Sequence, residues 1–141
     1  TLRFVGEAME KEVATLKQTL KEVATDRKPV IMHAGPAGYF QKGKRFVLWQ
    51  GIASGSRALG EIARDLAKAH SGNREEPFSF TPHITVARNC RLAEGSLQQI
   101  RHLSPPSWSF EVTALSLMLS HRPEGGKLTY TPLLRHVFTK A

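Results

Sequence analysis

His83 and Thr85 are the residues whose types and spacing could do chemistry, within Phe80-Thr81-Pro82-His83-Ile84-Thr85-Val86-Ala87-Arg88. A proline opens a β-branched run, the composition of a strand. Side chains alternate across a strand, so His83 and Thr85 share a face, about 7 Å apart along the backbone. An imidazole that gives or takes a proton near neutral pH then stands beside a hydroxyl able to hold a phosphate oxygen. Arg88 trails the run and is open to two readings, a phosphate contact or a surface ion pair. The chain also opens with Thr1-Leu2-Arg3-Phe4-Val5-Gly6-Glu7, which reads as the tail of a second such strand whose histidine falls two places before Thr1. Two His-x-Thr strands facing one cleft would make a site that cuts phosphodiesters. The triplet alone is weak; the leading proline, the arginine and the half-copy give it weight.

The elements that must position these residues follow from periodicity. Met9, Val13, Leu16, Leu20 and Val23 recur at steps of four and three, which predicts a helix over 7–25. Lys28-Pro29 ends it. Val30-Ile31-Met32 begins a strand that runs into a bend at Gly35-Pro36-Ala37-Gly38, and Phe46-Val47-Leu48-Trp49 is a second β-rich run. Ser56 is positioned to cap a helix with Leu59, Ile62, Ala63 and Leu66 on its apolar face. A polar loop over Ser71–Glu76 leads to the His83 strand, and a short helix around Leu97, Ile100 and Leu103 stops at Pro105-Pro106. Phe110, Val112 and Ala114 alternate on one phase, Leu115, Leu117 and Leu119 on the other, which predicts a bulge or face switch near Ala114. Gly125-Gly126 turns the chain into a last strand near 128–138, interrupted at Pro132. The element order suggests a weak duplication in which each His-x-Thr strand is followed by a helix and more strand. By symmetry, a strand and helix of about 30–40 residues should precede Thr1.

Composition bounds the class. With 141 residues, 40% hydrophobic and 23% charged, the chain reads as one soluble globular domain. No apolar run reaches spanning length, which argues against a membrane role. The single Cys90 excludes an internal disulfide and fits a reducing cytoplasm. The six histidines show no metal-ligand spacing, so neither metal nor cofactor is expected. A net charge of +8 and a pI near 10.1 favour a polyanionic partner.

Several other residues carry two readings. Arg3 alternates onto the face of Thr1 and could reach the same cleft. Tyr39 and Phe40 could stack on a base, or pack beneath a turn. Trp49 reads as core. Gly51-Ile52-Ala53-Ser54-Gly55 misplaces its serine for a nucleophile elbow, and Gly35-Pro36-Ala37-Gly38 lacks the Lys-Ser/Thr of a phosphate loop.

The paired segments Thr1-Leu2-Arg3-Phe4-Val5-Gly6 and Pro82-His83-Ile84-Thr85-Val86-Ala87-Arg88 resemble the two-histidine (2H) phosphoesterase superfamily, and within it the RNA 2',3'-cyclic phosphodiesterases historically called 2'-5' RNA ligases. Gly38-Tyr39-Phe40, Arg45-Phe46-Val47-Leu48-Trp49-Gln50-Gly51 and Tyr130-Thr131-Pro132-Leu133 add to the likeness, which spans the chain from residue 1. The resemblance implies a two-lobed, pseudo-symmetric α+β fold with antiparallel sheets, helices outside and a central cleft. It implies that His83 is the general base, that Thr85 and Thr1 hold phosphate oxygens, and that Arg88 lies near the phosphate; Arg3, Tyr39, Phe40 and Tyr130 are taken beside it as candidate substrate contacts. The implied reaction opens a 2',3'-cyclic phosphate to a 2'-phosphate without metal, with reversible 2'-5' RNA ligation beside it. The first motif's histidine is missing, and His33, His70, His102, His121 and His136 do not replace it. Residues 1–141 are therefore read as one such domain lacking its first strand, helix and first-motif histidine. Two rivals stay open: a non-catalytic domain that binds RNA ends, and a 2H phosphodiesterase acting on a small cyclic nucleotide. The expected partners are RNA ends or such nucleotides, with no membrane, no obligate protein partner and a monomeric state.

Overall fold

The computed structural model describes residues 1–71 and 79–140. Its elements are α1 (Glu10–Ala24), β1 (Val30–Lys42), β2 (Arg45–Ile52), α2 (Ser56–Ser71), β3 (His83–Cys90), α3 (Ser96–Arg101), β4 (Ser109–Val112), β5 (Ala114–His121) and β6 (Thr129–Val137). This is the expected α+β class. The loop anticipated after Ser71 lies outside the described residues. The chain divides into two units: one holds Thr1–Pro29, α2 from Ile62 onward and the residues from Val112; the other holds Val30–Glu61 and Ser79–Glu111.

In the first unit α1 packs on the antiparallel hairpin of β5 and β6. Leu20, Ala24, Ile62, Ala63, Leu115 and Phe138 are its buried apolar residues, so the predicted helix face is the one that finds the core at its C-terminal end. The helix begins at Glu10 rather than at 7, because Gly6 takes a left-handed φ of +85° and Met9 is extended. There the Glu12 carboxylate accepts the Met9 N–H at 2.6 Å, satisfying one of the unpaired donors of the first turn. At the other end the Arg27 guanidinium donates to the Val23 carbonyl and pairs with Asp65 of α2. The strand expected over Thr1–Val5 is not formed. β-rich composition makes a strand only where the backbone finds a ladder, and Phe4 stands 80% exposed. β6 runs through Pro132, where the register slips between Leu117 and Met118; proline offers no N–H to the ladder, so the predicted interruption takes the form of a bulge.

In the second unit a four-stranded sheet has the order β3-β2-β1-β4, with β1/β2 and β2/β3 antiparallel. The bend predicted at Gly35-Pro36-Ala37-Gly38 lies inside β1. Ala34 pairs with Ile52 and Ala37 with Gln50, so one extra residue is absorbed as a bulge. Glycine makes this possible, since a Cβ on Gly51 would lie 2.5 Å from the Pro36 carbonyl oxygen. The chain actually reverses at Gly43-Lys44, where Gly43 has a φ of +59°. α2 starts after Gly55, and the Ser56 hydroxyl donates to the Ala53 carbonyl instead of capping a helix N–H as expected. α3 lies against β1. The phase change near Ala114 is real: the strand breaks at Thr113, with β4 in the four-stranded sheet and β5 in the hairpin.

Candidate active site

β3 is an edge strand, and its pairing with β2 decides what shares a face with His83. Gly51 stands opposite His83 and Trp49 opposite Thr85. On β1, Gly38 stands opposite Trp49, Phe40 opposite Val47 and Lys42 opposite Arg45. Directly opposed residues point the same way, so one face carries Gly38, Phe40, Lys42, Arg45, Val47, Trp49, Gly51, His83 and Thr85. The rings agree with the register. Phe40 meets the His83 imidazole edge-on at 5.1 Å between centroids, Trp49 lies 6.0 Å from His83, and Phe40 and Trp49 are 5.3 Å apart.

The His83 ring is held by the backbone before it. Its Nδ1 lies 2.6 Å from the Thr81 carbonyl oxygen. A carbonyl only accepts, so Nδ1 carries the proton and the lone pair of the neutral ring is on Nε2. His83 and Thr85 are both half-buried. That arrangement suits a proton acceptor beside a hydroxyl anchor.

Strict alternation would send Arg88 to the face away from Thr85. The register breaks that alternation: Thr85 pairs with Trp49 but Ala87 with Leu48, so Val86 is an extra residue. Ala87 therefore lies on the opposite face; a second shift falls between Ala87 and Cys90, where Asn89 takes a φ of +57°, so Arg88 stands between two irregularities of the strand. Arg88 is exposed and makes no hydrogen bond or ion pair among the described residues.

The remaining sequence candidates are distributed unevenly. Phe40 joins His83, but Tyr39 stands opposite Leu48 on the other face, where Arg101 of α3 donates to its hydroxyl at 2.9 Å and stacks over its ring. Thr1, Arg3 and Tyr130 belong to the first unit. Thr1 is exposed, the Arg3 Nε is buried without a partner, and Tyr130 sits opposite Ser120 in β6, 57% exposed. Reading Trp49 as core missed its place beside His83, with a buried Nε1 that has no partner. Gly38 explains that place: a Cβ there would come 2.2 Å from the indole, so the ring lies flat across β1. Among the described residues no group of three or more His, Cys, Asp or Glu could hold a metal ion, and no helix is long and apolar enough to cross a membrane.

Residues 1–124 match the sequence profile of the 2'-5' RNA ligase superfamily. The chain belongs to that family. Among family relatives, the RNA 2',3'-cyclic phosphodiesterase of Aquifex aeolicus (strain VF5) is 28% identical over 92 residues, covering 62% of this chain. The chain spans about half the length of that relative, 49%. The crystal structure of E. coli LigT with 3'-AMP is similar over 99% of this chain and 76% of that one, at 26% identity and a TM-score of 0.79. The crystal structure of TT0787 of Thermus thermophilus shares the fold, with a TM-score of 0.76 at 22% identity over 99% of this chain and 77% of that one.

Proposed function

We propose that this 2'-5' RNA ligase superfamily member is a phosphodiesterase that opens 2',3'-cyclic phosphate ends of RNA to a 2'-phosphate when water attacks, and that a 5'-hydroxyl attacking in place of water joins RNA ends reversibly through a 2'-5' linkage. The observation that carries this reading is the His83 ring, proton on Nδ1 and lone pair on Nε2, beside the Thr85 hydroxyl. Nε2 takes a proton from water as the water oxygen bonds to phosphorus. The bond from phosphorus to the 3'-oxygen breaks, and that oxygen takes a proton from an acid. That acid is the second imidazole that the two-histidine pattern of the family calls for. Thr85 and Arg88 stabilise charge growing on the non-bridging oxygens. Phe40 gives the terminal base an aromatic surface. RNA as the substrate is supported by the name of the Aquifex relative and by the +8 charge.

The full-length gene product should open a 2',3'-cyclic nucleotide in the presence of EDTA, yield the 2'-phosphate, and show a bell-shaped pH profile from one neutral and one charged imidazole. His83→Ala should lower turnover by roughly 10²–10⁴-fold. Undiminished turnover in that variant removes His83 as the base, and a 3'-phosphate product reverses the choice of leaving oxygen.

A further inference from the structure

Lys42, Lys44 and Arg45 crowd into the four-residue reversal between β1 and β2. Lys42 and Arg45 are directly opposite each other in the ladder. Like charges at opposed positions weaken a strand pair, so this end of the sheet carries a cost that an anion would reverse. Neither of the ion pairs among the described residues involves these side chains. The Arg45 guanidinium is fixed rather than free to wander, because Nη1 donates to the Asn89 carbonyl of β3 at 3.2 Å. Arg88 and Arg91 flank it on β3 and just beyond.

The position of these cations matters more than their number. Lys42 and Arg45 lie on the same sheet face as His83 and Thr85. The rows along that face run from Thr85 and Trp49, through Phe40 and Val47, to Lys42 and Arg45. Trp49 to Arg45 is four residues, about 14 Å at the rise of a strand. A single strand stacked at about 3.4 Å per nucleotide covers that distance in roughly four nucleotides.

We infer that this face is a track for the RNA strand leading to the reacting end: the terminal phosphate at Thr85, a base against Phe40, and upstream phosphates at Arg45, Lys42 and Lys44. The protein then selects an oligonucleotide end over a mononucleotide. The inference rests on the proposed placement of the phosphate at Thr85.

Two measurements test it. With cyclic-phosphate oligonucleotides of one to six nucleotides, kcat/KM should rise up to about four nucleotides and then level off. In a Lys42→Gln/Lys44→Gln/Arg45→Gln variant the rise should be lost. Independently of turnover, fluorescence anisotropy should follow a 2'-phosphorylated hexanucleotide as salt is varied. Losing three phosphate contacts should flatten the slope of log K against log salt by about 2 and weaken binding on the order of a hundredfold at 0.1 M salt. Lys44→Gln alone, at the exposed tip, should flatten it by about 0.7. Length-independent kcat/KM, an unchanged salt slope, or equal competition by polyglutamate would each overturn the track. If no nucleotide is turned over, the proposed activity fails, and the salt slopes still decide the track.

Discussion

Replacing Gly38 by alanine tests whether the indole of Trp49 braces the His83 ring. Gly38 has an ordinary φ, so the substitution brings no backbone strain, only atoms. The new methyl carbon would lie 2.2, 2.4 and 2.7 Å from three indole carbons. Carbon atoms pack at about 3.5–4.0 Å, so the ring must move by more than an ångström or β1 must bow. Overpacking of this kind costs about 1–3 kcal/mol. Stiffening the unfolded chain returns about 0.4–1 kcal/mol. The net loss of about 1–2 kcal/mol corresponds to a Tm drop of roughly 3–8 °C in a chain of this size. A displaced indole also withdraws from the imidazole 6.0 Å away. Misplacement by about an ångström costs up to roughly 10²-fold in rate.

The assay is a double-mutant cycle in thermal stability and kcat. With Trp49→Ala as background the obstructing ring is gone, so Gly38→Ala should become neutral or stabilising by a few tenths of a kcal/mol or more. That change of sign is the signature. Equal losses from Gly38→Ala in both backgrounds would refute the reasoning.

Three further outcomes are expected. Ile62 is 1% exposed, and Ile62→Ala should cost about 2–5 kcal/mol in denaturant unfolding, with the slope m unchanged. Phe40→Leu should raise KM for the cyclic phosphate, whereas Tyr39→Phe should leave KM alone and cost about 1 kcal/mol, because Tyr39 faces Arg101 on the other side of the sheet; equal KM effects would contradict the register. Arg27→Met removes both the Asp65 pair and the bond to the Val23 carbonyl. Because Arg27 is half-buried and Asp65 half-exposed, the loss should be about 1–2 kcal/mol in urea, only partly sensitive to salt.

The helices and the His83 strand were legible because each rests on a local pattern. Leu20 in α1, and Leu59, Ile62 and Ala63 in α2, fall at helical spacing and end up buried. The change of phase at Ala114 marks a real change of sheet. What failed was non-local. Gly35 and Pro36 read as a bend because a single strand's sequence does not disclose that a facing glycine, Gly51, will accept the Pro36 carbonyl against its backbone. Trp49 read as core for a related reason: whether an aromatic residue in an apolar run faces inward or lies beside a histidine of the neighbouring strand depends on register. Gly38 opposite Trp49 was the available signal, a glycine at the cross-strand position of the largest side chain in the sheet. Residues 1–5 have the composition of a strand but are paired with no strand among the described residues.

Register irregularities, more than residue types, assemble this face. The extra residue in β1 lets Ala34 and Ala37 pair with Ile52 and Gln50 while Gly38 still meets Trp49. On the other side of β2, the extra Val86 reverses the phase after Thr85, and a second shift follows before Cys90, with Arg88 between the two. In a regular strand a motif of the form His-x-Thr-x-x-Arg would divide its imidazole and guanidinium between opposite faces, since an odd step of five flips a strand. The leftover apolar side chain pays for the arrangement: Val86 is 72% exposed on an edge strand, where burial would normally place a valine. A bulge that exposes an apolar residue next to the His-x-Thr pair is costly as packing and sensible as chemistry. The face bearing His83 is therefore the part of the second unit's sheet where local strand rules are broken, at the positions proposed to meet a phosphate.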